Sequence, residues 1–133
     1  MVTSQCLAFL LCDKASKSPE GKANLEGVFD RIVTPQLPTP RPQFFFSYYQ
    51  AALDQPCAVV LKLFGPDGDE IRGAWRDEIR EAGLVQSVWT LTTTLFKHPG
   101  TYRLELRQIR RDATESVLIS RELVVDQSNA PHA

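Results

Sequence analysis

At 133 residues, 43% hydrophobic and 23% charged, the chain has the make-up of one globular domain, which excludes a disordered polypeptide and a multidomain assembly alike. A formal net charge of -1 and a pI near 6.1 lack the basic excess of a general nucleic-acid binder, so no nucleic-acid partner is expected. The longest apolar run, residues 6–12, is far shorter than the roughly 20 residues that cross a bilayer, so no membrane partner is expected either.

The elements read in chain order as short apolar segments between turn residues, the punctuation of an all-β sandwich or barrel. Segment 5–12 is apolar at odd and even positions, as in a strand buried on both sides. It does not read as a signal peptide, because no Lys or Arg precedes it and Asp13 and Lys14 follow without a small-residue cleavage site. A cytoplasmic protein is expected. Cys6 and Cys12 sit in this strand roughly 20 Å apart, and with Cys57 they make three cysteines, an odd number that fits reduced thiols rather than a disulfide framework.

A polar connection over 16–21 leads to a strand over 23–33, interrupted at Gly27, where a bulge or a close backbone approach is expected. Pro35, Pro38, Pro40 and Pro42 cannot donate ladder hydrogen bonds, so 35–42 reads as an extended crossover between sheets. Strand 43–52 carries Phe44, Phe46 and Tyr48 on one face and Phe45 and Tyr49 on the other. Strand 57–64 ends at Gly65-Pro66-Asp67-Gly68, a tight hairpin turn into 70–76, where Ile71 and Trp75 share a face.

Residues 77–86 are mixed and charged, and fit one helical turn or a long loop. Strand character returns over 88–96, and Lys97-His98-Pro99-Gly100 turns the chain into 101–109. There Tyr102, Leu104 and Leu106 alternate with Arg103, Glu105 and Arg107, one face on the core and one in water. A polar loop over 110–115 leads to a final strand over 116–125. The expectation is one antiparallel β-sandwich of about eight strands over residues 1–126 and a disordered tail over 127–133.

The inventory for catalysis is thin. His98 lies in a Pro-Gly turn and His132 in the tail, so neither is held as a general base. Cys6, Cys12 and Cys57 lie within apolar strands, where burial raises a thiol pKa and makes the sulfur packing material. No Cys/His set has zinc-ligand spacing, and Asp67, Asp69 and Glu70 do not match a calcium loop. Gly65, Gly68 and Gly73 precede no phosphate-cradling helix start. Arg103, Arg107, Arg110 and Arg111 are interleaved with Glu105, Asp112 and Glu115, which reads as a solvated face. No catalytic residue, cofactor or metal is expected.

The excess is apolar. A two-layer sandwich buries one face per strand, so Phe45 and Tyr49, or their opposite neighbours, are left needing a cover: local loops or a self-association surface.

Leu10-Leu11-Cys12-Asp13, then Gly27-Val28-Phe29-Asp30-Arg31-Ile32, then Pro35 to Pro42 leading into the aromatic strand, resemble a family of small uncharacterised bacterial proteins classed as a domain of unknown function. The likeness extends through Gly65-Pro66-Asp67-Gly68 and His98-Pro99-Gly100-Thr101-Tyr102. The resemblance implies an immunoglobulin-like β-sandwich and transfers no catalytic residue. Within the resembling motif Asp13, Asp30 and Arg31 are the candidate polar site, with a structural ion pair tying the first two strands as the alternative.

The reading that follows is a non-enzymatic interaction or assembly module. Its expected partner is a second copy in a homo-oligomer such as a dimer, or another protein, with Phe45 and Tyr49 as candidate interface. The alternative is a small-ligand or carbohydrate-binding sandwich with a cleft lined by Tyr48, Tyr49, Trp75 or Trp89.

Overall fold

The computed structural model describes residues 3–128; most of the expected tail, His132 included, lies outside the described residues. The described residues form ten strands: β1 (Gln5–Lys17), β2 (Ala23–Phe29), β3 (Arg31–Thr34), β4 (Phe44–Leu53), β5 (Cys57–Phe64), β6 (Glu70–Ile71), β7 (Arg76–Ile79), β8 (Gly83–Thr92), β9 (Gly100–Arg110) and β10 (Glu115–Gln127). One sheet has the order β2-β1-β4-β8, and the other β3-β10-β9-β5-β6 with β7 also on β5. Pairing is antiparallel except between β3 and β10. This is an immunoglobulin-like sandwich, two sheets face to face over one core.

The core forms where inward positions of the two sheets meet. Phe9, Leu11, Phe45, Tyr49, Trp89 and Leu91 come from the first sheet, and Val59, Leu61, Leu63, Tyr102, Leu104, Leu106 and Leu123 from the second. Rings link them: Tyr49 lies 4.9 Å from Trp89, and Phe96 meets Tyr102 edge-on at 4.8 Å. Tyr102 opens β9, and its hydroxyl donates to the His98 carbonyl at 2.7 Å. That bond back to the preceding turn is the tyrosine corner of immunoglobulin-type sandwiches.

The count rises from about eight to ten because two expected strands are broken. Segment 23–33 splits at Asp30, and its halves join different sheets as β2 and β3. Segment 70–76 leaves the ladder after Ile71 and rejoins it at Arg76. Between them Gly73 lies against the Trp75 ring, so closely that a β-carbon there would meet ring atoms within 2.0 Å. Residues 77–86 form neither helix nor long loop: Arg76–Ile79 pairs with β5 and Gly83 starts β8. Strand 88–96 starts earlier, at Gly83, and ends in a 3-10 turn over Thr93–Leu95. At the other end β10 runs to Gln127, and the Ser128 amide donates to the Thr34 carbonyl at 2.9 Å.

The excess apolar surface finds a cover within the chain. The hairpin of β1 and β2 pairs Lys14 with Glu26 and Lys17 with Ala23, beyond the reach of β4, whose ladder with β1 stops at Cys12 opposite Phe46. Its tip nevertheless meets β8 level with Gln50, because Gln86 donates from Nε2 to the Gly21 carbonyl at 2.7 Å. The distal half of the hairpin therefore doubles back over the outer face of its own sheet. Tyr48 beneath it is only 9% exposed and donates to Gln86 Oε1 at 2.9 Å. The bend falls where Gly27, at φ +69°, faces Asp13; a β-carbon on Gly27 would lie 2.4 Å from the Asp13 carboxylate. The expected close approach at Gly27 is this contact.

Candidate functional site

The candidate interface residues face inward. Phe45 is 4% and Tyr49 0% exposed, and the Tyr49 hydroxyl is taken by Asp77 of β7 at 2.7 Å. The expectation that they form a contact surface is corrected: on β4 the odd positions meet the opposite sheet, while the even positions face outward under the hairpin. Phe44, at the strand start and past the hairpin's cover, remains 65% exposed.

Of the candidate polar residues, Asp13 and Arg31 come together and Asp30 does not join them. A groove of about 250 Å³ opens where the chain passes from β2 to β3, lined by Asp13, Phe29, Arg31, Ile32, Val33, Gln43, Phe44, Phe45 and Thr93. Its lining is mixed: Phe29, Ile32 and Phe45 are apolar, Gln43, Thr93, Asp13 and Arg31 are polar or charged, and the exposed side chains of Phe44 and Val33 flank it. Among the described residues no ion pair joins Asp13, Asp30 and Arg31; Arg31 instead pairs with Asp126 at 2.8 Å, tying β3 to β10. Asp30 contributes its backbone, accepting from the Val124 amide at 3.1 Å. Val33 escaped the sequence reading, whereas Phe44 is one of the opposite neighbours of Phe45 and Tyr49 expected to need a cover, and it is the one left exposed.

A larger recess of about 420 Å³ lies where the two turns of one end meet, lined by Pro66, Asp67, Asp69, Ile71, Leu95, Lys97, His98, Pro99 and Tyr102 among others. Gly100 packs directly on the Pro66 ring, leaving no room for a side chain. Tyr48, Tyr49, Trp75 and Trp89 line neither this recess nor the groove.

Titratable groups elsewhere are engaged in holding the fold. Burial pushes the thiols of Cys6, Cys12 and Cys57 up from their ordinary range, which disfavours thiolate chemistry. Glu105, 8% exposed on the outer face of β9, accepts from Arg107 Nε at 2.9 Å and pairs with Arg103 at 3.1 Å. Arg103 also lies over the Phe64 ring at 4.7 Å. Hydrogen bonds from Gln108 and Ser4, with Arg110 nearby, hold the Asp54 carboxyl below the usual carboxylate range. Among the described residues no three His, Cys, Asp or Glu side chains gather as metal ligands do, and no helix is long and apolar enough to cross a membrane.

Comparison with known proteins adds a family and a set of folds. A model described as Family of unknown function (DUF6941) matches residues 7–109. No curated protein matches the chain. Among solved structures, the C-terminal domain of wzt is 11% identical with a TM-score of 0.49, covering 96% of this chain and 76% of that one. The cupredoxin domain of amoB from Nitrosocaldus yellowstonii is 13% identical, TM-score 0.47, covering 100% and 94%. An immunoglobulin-like protein (PA1606) from Pseudomonas aeruginosa is 15% identical, TM-score 0.43, covering 93% and 97%.

Proposed function

The chain belongs to the Family of unknown function (DUF6941), and from that starting point we propose that it works as a non-enzymatic protein-interaction module. The observation that carries this reading is the groove at the passage from β2 to β3, where the large apolar side chains of Phe44 and Val33 are exposed beside a lining of both apolar and polar residues. A mixed lining with exposed apolar side chains fits a non-obligate protein contact, which as a whole is about as apolar as the rest of a protein surface, and Asp13 adds a carboxylate for orienting a partner while Arg31 is paired with Asp126. Burial keeps the cysteine thiols protonated, and the carboxylates of Glu105 and Asp54 are taken up by ion pairs and hydrogen bonds, which supports a non-enzymatic role. Three free thiols suit a reducing, cytoplasmic setting.

The test is affinity capture from the source cells with wild-type protein, Phe44→Ser and an outer-face control, Thr90→Ser, read by quantitative mass spectrometry. The expected result is a polypeptide held by wild type and control and lost at least about tenfold by Phe44→Ser. Identical capture by all three overturns the groove as the contact.

A second reading, a small-ligand-binding sandwich, rests on the recess between the two turns, with Lys97 and His98 on one side and Asp67 on the other. Saturation-transfer NMR against a metabolite and glycan panel tests it, and the absence of transfer from the protein to every member rules it out.

A further inference from the structure

We propose that two copies of this chain join through the open edge of β8, pairing antiparallel about a two-fold axis at Gln86 so that two four-stranded sheets become one continuous sheet. The direction of the backbone groups comes first. The Thr93 amide donates to the Gln43 carbonyl at 2.9 Å, continuing the register that sets Phe44 opposite Thr92. Odd residues of β8 therefore spend their N–H and C=O on β4, and even residues aim theirs at the free side. Trp75 corroborates this independently, since its indole donates to the carbonyl of Thr90, an even residue, at 3.0 Å.

The open stretch 84–88 reads Leu-Val-Gln-Ser-Val and has neither charge nor proline, the devices that keep edges from pairing. The other edges carry them: Glu26 on β2, Arg31 on β3, Glu70 on β6, and Arg76, Asp77 and Glu78 on β7. A second copy complements this stretch. With the axis at Gln86, Leu84, Gln86 and Val88 of one copy exchange main-chain bonds with Val88, Gln86 and Leu84 of the other. Leu84, 68% exposed, then lies across from Val88 on the outer face, an apolar cross-strand pair. The Gln86 side chain is already held by Gly21 and Tyr48, leaving its main chain free to pair. Trp75 occupies the Thr90 end and stops the ladder there, and the two-fold arrangement closes on itself as a dimer. This contact lies on a different edge from the groove and stands independently of it.

Sedimentation equilibrium on the full chain, from micromolar to submillimolar concentration, with amide hydrogen exchange at both limits, tests the proposal. The expected result is a monomer–dimer equilibrium in which the Leu84, Gln86 and Val88 amides gain protection as the dimer forms. Leu84→Lys should weaken it at least about tenfold while Leu84→Thr and Phe44→Ser leave it within about threefold. A monomer at every concentration, or a dimer in which those amides exchange at the monomer's rate, overturns it.

Discussion

Tyr49 of β4 donates its hydroxyl to the Asp77 carboxylate of β7 at 2.7 Å, a bond that spans the sandwich from the centre of one sheet to the edge of the other. It is the polar end of an otherwise apolar ring packed on Trp89. Tyr49→Phe keeps the packing and removes the bond, so urea unfolding should show a loss of about 1–2 kcal/mol.

The same residue sets an alkaline limit. Burial, then the Asp77 hydrogen bond, pushes the Tyr49 phenol well above its ordinary value. Below the usual phenol pKa of about 10 both folded and unfolded chains keep the proton; above it only the unfolded chain ionises, so stability is lost as pH rises. At the acid end the lowered Asp54 carboxyl contributes stability above the unfolded carboxylate value of about 3.9, lost as pH falls through the folded one. Thermal melts across pH should show Tyr49→Phe flattening the alkaline fall and Asp54→Asn flattening the acid one.

Gly27→Ala meets two obstacles, a positive φ and the Asp13 carboxylate. The expected cost is about 1–3 kcal/mol, with the hairpin tip released from Gln86 and faster amide exchange over residues 14–26. Adding Asp13→Ala should recover only the part owed to the carboxylate.

Ser47 is fully buried, and its hydroxyl has no hydrogen-bond partner among the described residues. Ser47→Ala removes an unsatisfied polar atom from the core, so the variant should be more stable by about 1 kcal/mol in chemical denaturation.

Tyr102→Phe cuts the tyrosine corner and frees the His98 carbonyl. A loss of about 1–2 kcal/mol is expected, read as a lower melting temperature with the strand content by circular dichroism unchanged.

Much of this was legible in the chain because period-two burial is written in side-chain type. Tyr102, Leu104 and Leu106 do face the core, while on the other face Arg103 is exposed but Glu105 is buried under its ion pairs, and the prolines of 35–42 do carry the chain from one sheet to the other. The faces of β4 were harder to read. Phe44, Phe46 and Tyr48 match Phe45 and Tyr49 in apolarity, and only the polar pair Ser47 and Gln50 differs. Buried Ser47 points one way and Gln50 the other, so composition alone does not assign the faces. The break at Asp30 and the return of the hairpin were invisible because both depend on what lies across a sheet, which local pattern does not encode. The groove joining Asp13 to Arg31 is a product of that switch and was hidden with it.

The doubled-back hairpin gives a two-layer domain a third ply over one strand. β4 is bordered by β1 and β8 along its sides, backed by the core on one surface and partly roofed by the hairpin on the other, which leaves Tyr48 buried and Phe46 and Gln50 half-buried. Opening is expected to start at the rim, where β6 holds on by two residues, with the aromatic strand as the keel, its amides exchanging last.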